Sequence, residues 1–184
     1  VLATGVDIKT KQAGDDMILY LPKEAPDPIA SVVVLAVSGT LNVETITLKQ
    51  TAGGKIVLPA DMVELNNKAY TFSEHAILEG KAGSRNISNW VSMSTWVQWT
   101  FMVTTPGTFE VVAELANASP ESKVSIESGK SKMPVTIGTT GDASKYKELS
   151  LGNVTYDKAG AQGMILIPVK GWNPVNLRHI ILKP

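Results

Sequence analysis

Residues 86–101 read Asn-Ile-Ser-Asn-Trp-Val-Ser-Met-Ser-Thr-Trp-Val-Gln-Trp-Thr-Phe and hold three of the four tryptophans of the chain. From Trp96 onward the run alternates as a half-buried strand must. Val97, Trp99 and Phe101 share one face, and Trp96, Gln98 and Thr100 share the other. An apolar face of that size needs an opposing apolar layer, which a helix or a second sheet must supply. Residues 86–94 read differently, as a polar approach loop with one aromatic, Trp90. Trp99 and Trp96 are read as packing residues. Trp90, flanked by amides, is the kind of amphipathic ring on which a sugar can stack.

The opposing layer is a sheet. Strand-like runs recur at sandwich spacing over 69–72, 96–103, 108–115, 123–128, 133–137, 145–151, 163–169 and 175–182. Turn residues separate them, as in Thr105-Pro106-Gly107, Ser128-Gly129-Lys130, Thr140-Gly141-Asp142 and Lys158-Ala159-Gly160. No stretch sustains an apolar period of 3.6, and the best helical candidate, 61–67, is a turn or two. Upstream, short runs at 17–21, 31–37, 44–48 and 55–58 are interrupted by three prolines within residues 22–28, which cannot continue a ladder. The reading is therefore all-β: a small β region over 1–62, then a jelly-roll-like antiparallel β-sandwich over 63–184. Opening on Val1, the chain reads as a processed or excised piece.

Composition removes several function classes. Seventeen basic and seventeen acidic residues cancel without forming a patch, so neither nucleic acid nor an anionic membrane is an expected partner. No apolar run approaches the length of a membrane span, and the longest, 29–37, is strand-sized. With no cysteine, there is no disulfide, thiolate metal site or cysteine nucleophile. The two histidines, His75 and His179, lack a ligand-spaced partner and read as ordinary strand positions. No phosphate loop or triad order appears, and no pair of acids sits in a recognisable glycosidase setting, so the fragment is read as non-catalytic.

The segments Glu74-His-Ala-Ile-Leu-Glu-Gly80, Asn86-Ile-Ser-Asn-Trp90, Trp96-Val-Gln-Trp-Thr-Phe101, Thr105-Pro-Gly-Thr-Phe-Glu-Val111, Thr140-Gly141 and Val175-Asn-Leu-Arg178, in that order, resemble the carbohydrate-binding modules of family 6 and family 35 type. These are jelly-roll sandwiches appended to glycoside hydrolases. Upstream, Leu19-Tyr-Leu-Pro-Lys-Glu-Ala-Pro-Asp-Pro-Ile-Ala-Ser-Val-Val-Val-Leu35 resembles the segment that follows the catalytic barrel of bacterial family 29 α-L-fucosidases. The resemblance implies a catalytic domain upstream in the parent chain, an oligosaccharide or glycan as partner, and a periplasmic or extracellular location.

It also implies a cleft among loops at one edge of the sandwich. Trp90 matches its first aromatic and Asn176 its asparagine. Ala143 stands near the place of the second aromatic, with Tyr146 three residues later, and Trp172 in Gly171-Trp-Asn-Pro174 is the candidate opposing wall. Asn89 and Asn173 supply further amides for sugar hydroxyls. Two stacking rings and a few amides give a dissociation constant of roughly tens of micromolar to millimolar. Such modules often hold a structural calcium through Glu-x-Glu; here Glu74 matches the second acid and Phe72 stands at the first. No other cofactor is expected. The alternative to sugar binding is a structural sandwich that braces the barrel or mediates assembly.

Overall fold

The computed structural model describes residues 4–14, 16–27, 29–36, 38–39 and 47–184. The chain divides into two compact units, Val1–Thr45 and Ile46–Pro184. The division falls before the expected boundary at 62/63. Strand β4 below is the reason, because its apolar alternation pairs into the second unit.

In the first unit, β1 (Lys9–Ala13) and β2 (Asp16–Tyr20) form an antiparallel hairpin, Lys9 opposite Tyr20 and Ala13 opposite Asp16. Of the expected strand at 31–37, the described residues, 31–36, are in no ladder. Most of the expected strand at 44–48 lies outside the described residues.

The second unit is a two-sheet sandwich. Its strands are β3 (Leu48–Lys49), β4 (Ile56–Pro59), β5 (Glu64–Asn66), β6 (Ile77–Glu79), β7 (Asn86–Ser88), β8 (Trp96–Val103), β9 (Gly107–Ala116), β10 (Glu121–Ser128), β11 (Ser131–Gly138), β12 (Lys147–Tyr156), β13 (Gly160–Pro168) and β14 (Asn176–Lys183). One sheet runs β11-β10-β13-β8-β3, with β5 also on β8; the other runs β12-β9-β14-β7-β6, with β4 also on β14. All these pairings are antiparallel except β3 with β8. The β-sandwich reading therefore holds.

Alternation places the core as the sequence requires. Val97, Trp99, Phe101 and Val103 of β8 meet Phe109, Val111, Ala113 and Leu115 of β9, with Ile180 and Leu182 of β14 beside them, all buried. Trp99 donates its indole N–H to the Pro59 carbonyl at 2.8 Å, which satisfies the one polar atom its ring carries inward. The helical candidate at 61–67 becomes a 3-10 turn, Ala60–Met62, followed by β5. The expected strand at 69–72 is instead loop leading into a 3-10 turn, Phe72–Glu74. Asn67 closes that loop by exchanging two hydrogen bonds with the backbone of Ala76, which leaves Tyr70 and Phe72 in water. His75 accordingly follows a turn, whereas His179 is in β14 as expected.

Candidate functional site

Of the residues expected to form the cleft, Trp90 and Trp172 pack on one another, and the amides bond to backbone carbonyls. Trp90 is 1% exposed, a core residue, and its indole donates to the Thr95 carbonyl at 3.0 Å. Trp172 packs on it with ring centroids 4.6 Å apart and donates to the Trp90 carbonyl at 3.1 Å. The gap left between this pair and Leu115, Leu166 and Leu177 is about 10 Å³, too small for a sugar. The amides are engaged as well. Asn89 turns the chain at φ 51° and donates to the carbonyls of Ser73 and His75, each at 2.8 Å. Asn173 donates to the Glu121 carbonyl at 2.8 Å, and Asn176 to the Ala143 carbonyl at 2.8 Å.

This corrects the expectation for Trp90. Flanking amides suggested an exposed ring, yet those amides serve the loop while the ring fills the open end of the core, where burying so large a surface is more favourable. Trp172 is the lid on that end rather than a wall across from Trp90. Glu74 is exposed in its 3-10 turn. Among the described residues no group of three or more histidines and acids is placed to hold a metal ion, whereas calcium takes six to eight oxygens and usually more than one carboxylate.

The outer face of the first sheet is open and differently furnished. Alternation turns Trp96 and Gln98 of β8 outward, and both are half-buried. Register then builds a row across four strands: Glu127 opposite Ile165, Ile165 opposite Gln98, and Gln98 opposite Glu64. A carboxylate, an aliphatic surface, an amide and a second carboxylate thus lie side by side on one flat face. Lys132 holds Glu127 from the edge strand at 2.6 Å. Trp96 stands two residues along from Gln98, with the Lys68 ammonium 5.6 Å from its ring centroid. Beside Trp96 in register is Asn66, whose Nδ2 is the one buried side-chain atom without a hydrogen-bond partner among the described residues. A water or a ligand hydroxyl is what such a donor ordinarily finds.

Below the row the sheet surface drops. Ala161, Gly163 and Gly129 have little or no side chain, and with Gln98, Glu127 and Gln162 around them they form a hollow of about 350 Å³. A second hollow of about 220 Å³, between Lys130, Tyr156 and Asp157, shares Gly129 and Gln162 with it. Gly163 is the informative residue. It sits in β13, between β10 and β8, where glycine weakens a sheet. Its φ is not in the left-handed region, and a Cβ placed there would meet only the Trp99 carbonyl oxygen, at 3.7 Å. Neither backbone geometry nor crowding demands glycine there, and its effect is to lower the floor. Ser128 fixes that floor from beneath, with Oγ 2.6 Å from the Tyr156 hydroxyl and donating to the Gly163 carbonyl at 2.7 Å. Burial pushes the Tyr156 phenol above its ordinary pKa, partly offset by the bond to Ser128, so it stays neutral.

From Trp96 to Thr100, the residue opposite Gly163, the face runs four residues, about 13 Å at the usual strand rise. Sequence reasoning had already turned Trp96, Gln98 and Thr100 to one side, but Glu127, Ile165 and Gly163 join them only through the register of strands distant in sequence, while Gln162, opposite Phe101, borders the hollow from the core-facing side of β13.

Residues 63–173 match the family described as "Domain of unknown function (DUF5077)". The chain belongs to this family. The DUF5077 match spans β5 through β13 and so contains the whole of the face just described. No curated protein matches the chain. Among solved structures, it is similar to a family 35 carbohydrate-binding module from Clostridium thermocellum, with TM-score 0.56 and 15% identity over 70% of this chain and 96% of that one. It is similar to a family 35 module from Paenibacillus barcinonensis, with TM-score 0.56 and 18% identity over 70% and 98%. The C-terminal family 6 module of a marine laminarinase from Zobellia galactanivorans gives TM-score 0.53 and 14% identity over 71% and 99%. At such identities the likeness is one of fold.

Proposed function

We propose that the DUF5077 sandwich is a non-catalytic carbohydrate-binding module whose ligand lies along the outer face of the first sheet, from Trp96 to Gly163. The observation that carries this is the trough over Gly163. A central strand holds a glycine that no packing or backbone constraint requires, beneath a rim of Gln98, Glu127 and Gln162. Amides and carboxylates beside an aromatic and an isoleucine suit a sugar ring, which has an apolar C–H face and a rim of hydroxyls. The likeness in fold to carbohydrate-binding modules supports the reading.

The finer proposal follows the sequence resemblance. The module belongs to an exported glycoside hydrolase of α-L-fucosidase type, where it holds an upstream catalytic domain near glycan by raising its local concentration. The closed loop end, Trp172 on Trp90, favours the competing reading of a structural brace at that end of the sandwich. Titration calorimetry against a panel of neutral plant and host oligosaccharides decides between them. Saturable binding that Trp96→Ala weakens by about tenfold, the share of one good stacking contact, supports the module. Absence of binding at tens of millimolar, against the millimolar affinity expected of so open a site, leaves the brace.

A further inference from the structure

The outer face of the second sheet carries a separate hollow of about 490 Å³, lined by Asp61, Arg85, Glu114, Arg178 and His179 among others. A register shift between Leu177 and His179 in β14 builds it. In a regular strand Arg178 and His179 would point to opposite faces; here both line the hollow. Opposite them on β9, Glu114 accepts from Arg178 Nη1 at 3.0 Å and lies 3.3 Å from His179 Nδ1 through its other oxygen. The Arg178 guanidinium lies 3.7 Å from the centroid of the Tyr146 ring, which fixes its plane. The far wall is the loop after β6. Asp61 accepts the backbone N–H groups of Gly83 and Arg85 at 3.0 and 3.2 Å, and this pins the loop.

The inventory of unused groups is one-sided. Asp61 has both oxygens on loop backbone, and Glu114 has one on Arg178 and the other 3.3 Å from His179 Nδ1. Arg85, by contrast, makes no side-chain hydrogen bond among the described residues; its Nε is 3.9 Å from Asp61, too long for one. Arg178 gives one N–H to Glu114 and lies against Tyr146, which does not use up its five donors. The acceptors are engaged, while two guanidiniums, 40% and 46% exposed, keep donors facing the same space. What matches unused guanidinium donors is an acceptor-only group with planar or tetrahedral oxygens.

We infer that this hollow is an oxyanion site, taking a carboxylate or a sulfate between Arg85 and Arg178. It is independent of the sheet face proposed for neutral sugar, so the two assignments stand or fall separately. The group can arrive as a free anion or as the acidic substituent of a saccharide, and the two sources share the chemistry. The test is calorimetry or amide-shift titration of the whole chain with sodium sulfate, sodium glucuronate and glucose, at ionic strength held constant with sodium chloride.

Sulfate and glucuronate are expected to saturate in the millimolar range, and Arg85→Gln and Arg178→Ala each to weaken them about tenfold. Trp96→Ala leaves both anions unaffected. Arg85→Gln keeps the backbone N–H that Asp61 holds, so the loop stays in place and a loss of binding reports the guanidinium. Response to glucuronate alone also supports the site and makes an acidic saccharide its source; equal response to sulfate makes it a general oxyanion site. Saturation by neither anion overturns the inference, as does affinity unchanged in Arg85→Gln and Arg178→Ala.

Discussion

Replacing Gly163 by valine separates a structural glycine from a functional one. The residue lies in an interior strand at a φ that valine adopts, and its Cβ would have 3.7 Å to the nearest atom, an ordinary contact. Removing glycine's extra backbone freedom is worth about 0.5–1 kcal/mol, and a β-branched residue in a sheet adds up to about 1 kcal/mol. Gly163→Val is therefore expected to stabilise the sandwich by about 1 kcal/mol, read as a higher urea midpoint at unchanged slope, or as about 2–5 °C in Tm. The two methyl groups occupy the trough between Gln98 and Gln162, and binding of neutral oligosaccharide falls more than about tenfold, the effect of losing one good contact or more. Most substitutions destabilise, so a variant that gains stability and loses ligand is a specific signature. Loss of stability would refute the packing argument, and retained affinity would refute the trough as the site.

Other outcomes follow from the same structure. Trp90→Ala empties the end of the core and removes the surface on which Trp172 packs, and should cost about 3–5 kcal/mol in denaturant unfolding. Gly152 sits at the bulge of β12 with φ 116°, where a Cβ would lie 2.5 Å from Met133 Sδ, so Gly152→Ala should cost about 2 kcal/mol, in contrast to Gly163. Tyr156→Phe loses the bond to Ser128 and about 1 kcal/mol at neutral pH. Because burial raises the Tyr156 pKa in the folded state, the unfolded chain releases that proton first. That share of stability is intact below about pH 10, the unfolded value, and is lost as pH rises through the folded value. The gap between wild type and Tyr156→Phe in urea midpoint should therefore narrow above pH 10.

Much of the sandwich was legible because period-2 patterns are local. Residues 96–103 coincide with β8, and the turns after β8, β10 and β12 fall where Gly and Pro mark them. What was not legible depends on partners far along the chain. The strands β5, β6 and β7 have three residues each, too few to show a period, and exist because β8, β7 and β14 respectively offer them an edge. Residues 69–72 have the right composition for a strand, but Asn67 closes the loop on Ala76 before they can pair. The candidate site moved for a related reason. Amides around Trp90 look the same in sequence whether they face a ligand or the chain's own carbonyls, and Asn89 and Asn176 face carbonyls. The sheet face carries no motif at all. Glu64, Gln98, Glu127 and Ile165 span a hundred residues of sequence and meet only by register.

The most direct test of the central claim is amide-shift mapping of the isotope-labelled chain during titration with a neutral oligosaccharide that it binds. The account predicts that the side-chain amides of Gln98 and Gln162, the backbone amide of Gly163 and the Trp96 indole shift together and saturate on one curve. Shifts confined to Trp172, Asn173 and Asn176, with the Gly163 face silent, would contradict it and return the ligand to the loop end.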